Sequence, residues 1–260
     1  MKKILYIIFS MFIIFVGCKK EDANPIENSE GNDYFPNNNG NRYVYTIIKI
    51  DSTGAQTEGT RTTWYEGTAN FNGNNYQNEH DSIVITNQQP VTNITHFRKT
   101  STGVYYFVDT TGLYQSIPDS LLNYVTISNE IQPFAFPLDD GKKWTVFRLD
   151  LNYGPLTLTL IDVQGTFEGK ENVTLNLDSG QKTVEAAKVK YELTLKAVNP
   201  LNPLLQITSK YNTYAWLAPG IGVVKWEGNA TLPNAISGSG VDFSDSTTTI
   251  TTTLKSYTIK

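Results

Sequence analysis

Between Lys188 and Ala197 polar and apolar side chains alternate without a break, with Val189, Tyr191, Leu193, Leu195 and Ala197 set against Lys188, Lys190, Glu192, Thr194 and Lys196. A period of two fits no helix. It fits a strand with one face in the core and one in water. Leu156, Leu158 and Leu160 alternate with Thr157 and Thr159 in the same way, as do Val173, Leu175 and Leu177 with Asn172, Thr174 and Asn176. Four further runs, Tyr43–Ile50, Val104–Val108, Trp144–Leu151 and Tyr211–Leu217, are apolar on both parities. They predict strands that are covered on both faces or line a groove. Shorter strands are expected at Ser82–Thr86, Val223–Glu227 and Thr249–Ile259, the last rich in β-branched threonine.

Turn chemistry separates these runs. Asn72-Gly73 suits a two-residue hairpin. Asp51-Ser52-Thr53-Gly54, Asp139-Asp140-Gly141 and Asp178-Ser179-Gly180 read as reversals. Pro219-Gly220 is a natural central pair for a type II turn between strands ending near Leu217 and starting at Val223. The helical expectation is one short segment, Pro118–Tyr124, with proline in its first turn. Without helical crossovers a parallel sheet is unreachable. The expected fold is therefore all-β: an antiparallel curved sheet, half-barrel or barrel-like, with a β-sandwich as the alternative.

An internal echo accompanies that pattern. Phe35-Pro36 is followed by Gly40, Tyr43 and Tyr45, and Phe136-Pro137 by Gly141, Trp144 and Val146, at the same offsets. Either two pseudo-repeats begin near residues 34 and 135, or a turn followed by an aromatic strand has simply occurred twice.

The N-terminus addresses a different question. Lys2 and Lys3 precede an apolar run from Ile4 to Val16, too short for a comfortable span of about 20 residues and suited to an export signal. Cys18 is the one cysteine in the chain, which excludes an internal disulfide, a thiolate nucleophile elsewhere and a Cys-bound metal. Val16-Gly17-Cys18 resembles the lipobox of bacterial lipoproteins, with Phe15 departing from the usual aliphatic residue. Lys19-Lys20-Glu21-Asp22 resembles the signal that follows the cysteine in surface-exported lipoproteins of the Bacteroidetes. The resemblance implies a signal peptide over residues 1–17 and a lipidated Cys18. The polar composition up to Asp33, with Ile26 its one large aliphatic, reads as a flexible tether over 18–33, and the strand-like runs from Tyr34 as a single β domain over 34–260. The resemblance further implies an outer-membrane lipoprotein at the cell surface, with the periplasmic face as the alternative, whose membrane partner is met through the lipid.

A second resemblance spans two short segments. Tyr34-Phe35-Pro36 with Gly40-Asn41-Arg42-Tyr43-Val44-Tyr45, and Tyr214-Ala215-Trp216-Leu217-Ala218-Pro219-Gly220-Ile221-Gly222-Val223-Val224-Lys225, are similar to uncharacterised Bacteroidetes lipoproteins. Those carry an aromatic-Ala-Pro-Gly-x-Gly-x-Val-Lys segment; here Leu217 intervenes after Trp216. The implied shape is similar to the open half-barrels of periplasmic lipoprotein carriers.

Chemistry is sparse. The formal charge of −4 becomes −6 once Lys2 and Lys3 leave with the leader, and no basic cluster offers phosphates a surface, so nucleic acid is not an expected partner. His80 and His96 lack a ligand set, since Glu79, His80 and Asp81 are neighbours whose side chains alternate between faces. No Gly-x-Ser-x-Gly elbow, P-loop or dinucleotide fingerprint is present. Asp242 and Asp245 could give weak calcium binding through hard oxygens; no cofactor is expected. Aromatic residues are plentiful, and Trp64, Tyr65, Tyr105, Tyr106, Tyr214, Trp216 and Trp226 are candidates for contacting a ligand, with core packing as the competing role. Asp81-Ser82-Ile83 and Asp119-Ser120-Leu121 resemble Bacteroidetes O-glycosylation sites. Together these features point to a non-enzymatic binding or structural module for glycan, lipid or protein. The alternative is a carbohydrate-active hydrolase using paired carboxylates.

Overall fold

The computed structural model describes residues 33–109, 123–199, 202–236 and 247–260. Cys18, most of the expected helix Pro118–Tyr124, Asp119-Ser120-Leu121, Asp242 and Asp245 lie outside them. Among the described residues thirteen antiparallel strands make one sheet. The first meander runs β1 (Arg42–Ile50), β2 (Gln56–Phe71), β3 (Asn74–Ile85), β4 (Val91–Thr100), β5 (Gly103–Phe107) and β7 (Glu130–Ala135). The second runs β8 (Lys143–Tyr153), β9 (Leu156–Leu177), β10 (Gly180–Asn199), β11 (Asn202–Ala218), β12 (Gly222–Asn229) and β13 (Thr249–Thr258). β13 pairs with β1 from Arg42↔Thr258 to Ile50↔Thr249, joining the last strand of the chain to the first. The short β6 (Val125–Ile127) adds to the outer edge of β8.

The sheet is strongly curved and does not close. Its two ends approach across β7 and β8, where the Trp144 indole Nε1–H donates to the Gln132 carbonyl at 3.0 Å. From β10, the Tyr191 hydroxyl donates to the Pro133 carbonyl at 3.0 Å. The half-barrel expectation therefore holds, and the sandwich does not, because a single continuous sheet supplies both walls. Inward-facing Tyr43, Phe97, Val189, Tyr191, Leu217 and Val224 fill the concave side.

Local chemistry explains most of the turns. Asn72 and Gly73 both take positive φ, 52° and 79°, the requirement of a type I′ hairpin. Ala218 to Ile221 closes as the expected type II turn, with Gly220 at φ 70° and the Ile221 N–H bonded to the Ala218 carbonyl at 3.1 Å. The two alternating runs Leu156–Leu160 and Val173–Leu177 belong to one 22-residue strand, β9. A six-residue helix, α1 (Thr231–Ile236), is too short to show a period in the sequence; Asn229 Oδ1 accepts the Thr231 N–H at 3.0 Å at its start.

The opening hairpins of the two meanders share their register. Arg42↔Trp64 and Tyr43↔Thr63 in the first correspond to Lys143↔Thr166 and Trp144↔Gly165 in the second. The Tyr65 N–H bonds the Asn41 carbonyl, and the Phe167 N–H bonds the Lys142 carbonyl. Both strands then bulge at a positive-φ glycine, Gly67 and Gly169, within Tyr65-Glu66-Gly67-Thr68-Ala69-Asn70 and Phe167-Glu168-Gly169-Lys170-Glu171-Asn172. The next ladder keeps the match: Tyr65↔Glu79 and Thr63↔Asp81 correspond to Phe167↔Val189 and Gly165↔Tyr191.

Candidate functional site

On β2 and β3 the period of two puts Arg61, Thr63 and Tyr65 on the concave face, opposite Glu79 and Asp81. Both carboxylates are buried, and the Arg61 side chain is 17% exposed. Arg61 holds Asp81 with two bonds, Nε to Oδ1 at 2.8 Å and Nη2 to Oδ2 at 2.5 Å, and Thr63 Oγ1–H donates to Oδ1 at 2.5 Å. The same guanidinium reaches Glu79 Oε1 only at 3.4 Å. Glu79 Oε2 accepts the Tyr106 hydroxyl at 2.5 Å. One guanidinium thus serves two carboxylates, and Asp81 takes the better share.

The electrostatic consequence falls on Glu79. Burial away from water, reinforced by the Asp81 charge, pushes its carboxyl up to about 7 despite Arg61 and the Tyr106 hydrogen bond. Burial also raises the phenols of Tyr45, Tyr65 and Tyr106 well above their ordinary range. At neutral pH the tyrosines are hydroxyl donors, and Glu79 holds its proton far more readily than an exposed glutamate does.

This cluster forms one wall of an interior chamber of about 50 Å³. Tyr43, Tyr45 and Tyr65 line it from β1 and β2, Phe134 from β7, Trp226 from β12, and Pro233 and Ile236 from α1. The volume is room for a few waters at roughly 10–15 Å³ each, far below the roughly 300–1,000 Å³ of sites for drug-sized ligands. The Tyr45 hydroxyl donates to the Val223 carbonyl at 3.1 Å, and that of Tyr43 to the Pro36 carbonyl at 3.3 Å. Tyr65, 5% exposed, also lines the chamber.

The seven candidate aromatics divide between the two faces. Tyr65, Tyr106 and Trp226 come together at the chamber. Their alternates Trp64 and Tyr105 lie on the convex face, Trp64 stacked on His80 with ring centroids 5.1 Å apart, and Tyr105 under the Arg98 guanidinium at 4.4 Å. Tyr214 and Trp216 are also convex neighbours; Trp216 is buried beneath Lys188 and Lys225 and donates its indole N–H to Glu171 Oε1. His96 pairs with Asn78 through Nδ1 at 2.9 Å, outside the chamber. Among the described residues no group of three or more His, Cys, Asp or Glu side chains could hold a metal ion. Glu79 and Asp81, the paired carboxylates nearest a cavity, stand side by side on one strand rather than across a cleft.

The sequence brings Glu79 and Asp81 to notice only as neighbours of His80, and Asp81 also in the triplet Asp81-Ser82-Ile83; it does not mark Arg61 or Thr63. Their signal was nevertheless present: charges two residues apart, at the parity that also carries Tyr65. In the second meander the corresponding positions hold Val163, Gly165, Val189 and Tyr191.

No family model and no curated protein matches this chain. Similar solved structures include a protein from Bacteroides fragilis described as exported and of YmcC-like fold, 16% identical over 86% of this chain and 98% of that one, with TM-score 0.44. A protein from Parabacteroides distasonis described as a lipoprotein is 15% identical over the same shares, with TM-score 0.45. The Escherichia coli protein YmcC, described as a hypothetical lipoprotein, is 13% identical over 82% of this chain and 84% of its own, with TM-score 0.32.

Proposed function

We propose that this chain is an envelope lipoprotein, acylated at Cys18, whose β domain works by binding a small polar ligand in its interior chamber. The observation that carries the binding role is Glu79, a buried carboxylate incompletely matched by Arg61, on a cavity lined by Tyr43, Tyr45, Tyr65 and Trp226. A fold needing only stability could fill these positions with apolar residues, as the second meander does, and well-packed apolar replacements of buried ion clusters are often neutral or stabilising. The leader supports the address. Residues 18–32 reach at most ~50 Å when extended, and the chain enters the domain at Asp33, whose carbonyl accepts the Gly220 N–H at 2.8 Å beside the chamber wall at Phe35 and Pro36.

In this reading the glycan and lipid ligands suggested by the aromatic content do not fit the chamber as a whole ring or acyl chain, because its volume is too small. We also read the two meanders as copies of one six-strand unit, the first having acquired the polar cluster. The binding role is tested by nuclear magnetic resonance of the detergent-solubilised full chain against a library of small polar molecules. Shifts centred on Tyr65, Glu79 and Trp226 are expected, and no shifts at those residues from any member would reject the role. The anchor is tested by lipid labelling, where equal labelling of wild type and Cys18→Ala would reject acylation there.

A further inference from the structure

We infer that the chamber is a receptor for a small organic cation: an alkylammonium group about the size of tetramethylammonium, held among the Tyr43, Tyr45, Tyr65 and Trp226 rings with Glu79 as its counter-ion. The inference rests on the ligand-binding reading above and adds the sign and class of the ligand.

Charge comes first. The titratable groups around Glu79 are Arg61 from β2, Asp81 from its own strand, and the phenols of Tyr43, Tyr45, Tyr65 and Tyr106 from β1, β2 and β5. Walls from β7, β12, β13 and α1 add no charge, and Lys99 beyond the Phe35 wall is already paired with Asp33 at 2.6 Å. Arg61 spends two short bonds on Asp81 and one 3.4 Å contact on Glu79. With both acids ionised, the cluster carries one negative charge in excess. An anionic ligand would be repelled, and a cation would complete the count.

The walls narrow the class. Ring faces of Tyr and Trp attract cations through their quadrupoles, most strongly where water is excluded. A calcium ion wants six to eight oxygen ligands, mostly carboxylates, carbonyls and waters, whereas here the hydroxyls of Tyr43, Tyr45, Thr63 and Tyr106 already donate to Pro36, Val223, Asp81 and Glu79. An alkylammonium group asks for apolar contact and a counter-charge, and both are present. Size agrees: a chamber of about 50 Å³ admits a few non-hydrogen atoms and no sugar ring.

The test titrates the detergent-solubilised full chain with tetramethylammonium chloride and, separately, with tert-butanol, a neutral molecule of the same heavy-atom count, using potassium chloride as the ionic-strength control. Chemical shifts of the Trp226 indole N–H and of the chamber tyrosines are followed at pH 6 and pH 8. Tetramethylammonium is expected to move them with about tenfold higher affinity at pH 8, because Glu79 titrates at about 7. Glu79→Gln should lose the binding while circular dichroism stays unchanged. Tyr65→Phe should keep it, and Tyr65→Leu should weaken it several-fold. Equal binding of tert-butanol would overturn the cationic class and leave the chamber a ligand site. No response to either probe would overturn the organic-cation reading, whereas the ligand-binding reading falls only if the library of small polar molecules also leaves Tyr65, Glu79 and Trp226 unmoved. Undiminished tetramethylammonium binding to a folded Glu79→Gln protein would overturn the assignment of Glu79 as counter-ion.

Discussion

Arg61 is the residue on which the polar interior depends, because its removal strands two carboxylates away from water. Arg61→Leu is expected to cost roughly 3–5 kcal/mol, the usual penalty for breaking a buried pair, read as a lower urea midpoint. Glu79 carries a pH signature of definite sign. Its folded carboxyl titrates at about 7 against an ordinary 4.5, so the native state keeps a proton that the unfolded chain gives up between those values. Its contribution to stability is therefore greatest below about pH 4.5, falls as pH rises to about 7, and is level above. Glu79→Gln should gain on wild type by roughly 2–3 kcal/mol between pH 5 and pH 8, and denaturation at the two pH values measures it; a constant difference would refute the assignment. Thr95, paired across the ladder with Glu79, buries a hydroxyl with no partner among the described residues. Thr95→Val should stabilise by about 1 kcal/mol. The sequence does not mark these residues as one buried cluster, because burial of a charge is a tertiary fact. Alternation says which side chains share a face, and only the curled sheet says which face loses water.

At the scale of the element, legibility followed side-chain contrast. β10 could be read residue by residue, since lysines and aliphatics alternate along it. β2 and β4 could not, because threonine, glutamate and asparagine occupy both parities and the partner strands supply the burial. Long β9 read as two strands because the bulge at Gly169 and the small Gly165 interrupt its pattern. Gly165 has a packing reason to be glycine. A Cβ there would lie 2.4 Å from the Trp144 indole carbons, closer than any real contact. That indole is also the link from β8 to the Gln132 carbonyl of β7, where the sheet's ends approach. Gly165→Ala should therefore displace Trp144, cost roughly 1–3 kcal/mol as overpacking does, and speed amide exchange in β7 before the β1–β13 ladder. Unchanged exchange in β7 would show that the indole bond does not hold the ends together.

For the whole molecule, the arrangement of the two meanders decides how the chain can be cut. The C-terminal Lys260 lies beside the first turn: its carbonyl accepts Asn38 Nδ2–H at 2.5 Å, and its N–H reaches Asn41 Oδ1 at 2.9 Å. The β13–β1 ladder runs the length of β1 with one bulge at Val44/Tyr45, whereas β7 and β8 share side-chain contacts and a short connection around Asp139-Asp140-Gly141. If the meanders are copies of one unit, the order second–first should fold as readily as first–second. A circular permutant that begins at Asp140, passes from Lys260 through a short Gly/Ser linker to Asp33 and ends at Asp139 keeps every strand pair. It also leaves Arg61, Glu79 and Tyr106 within one uninterrupted segment. Such a permutant should retain the wild-type circular dichroism spectrum and the pH-dependent gain from Glu79→Gln. A permutant that collapses would show that the covalent step from β7 to β8 sets the curvature, and that the half-barrel is held by its connection rather than by the fit of two similar halves.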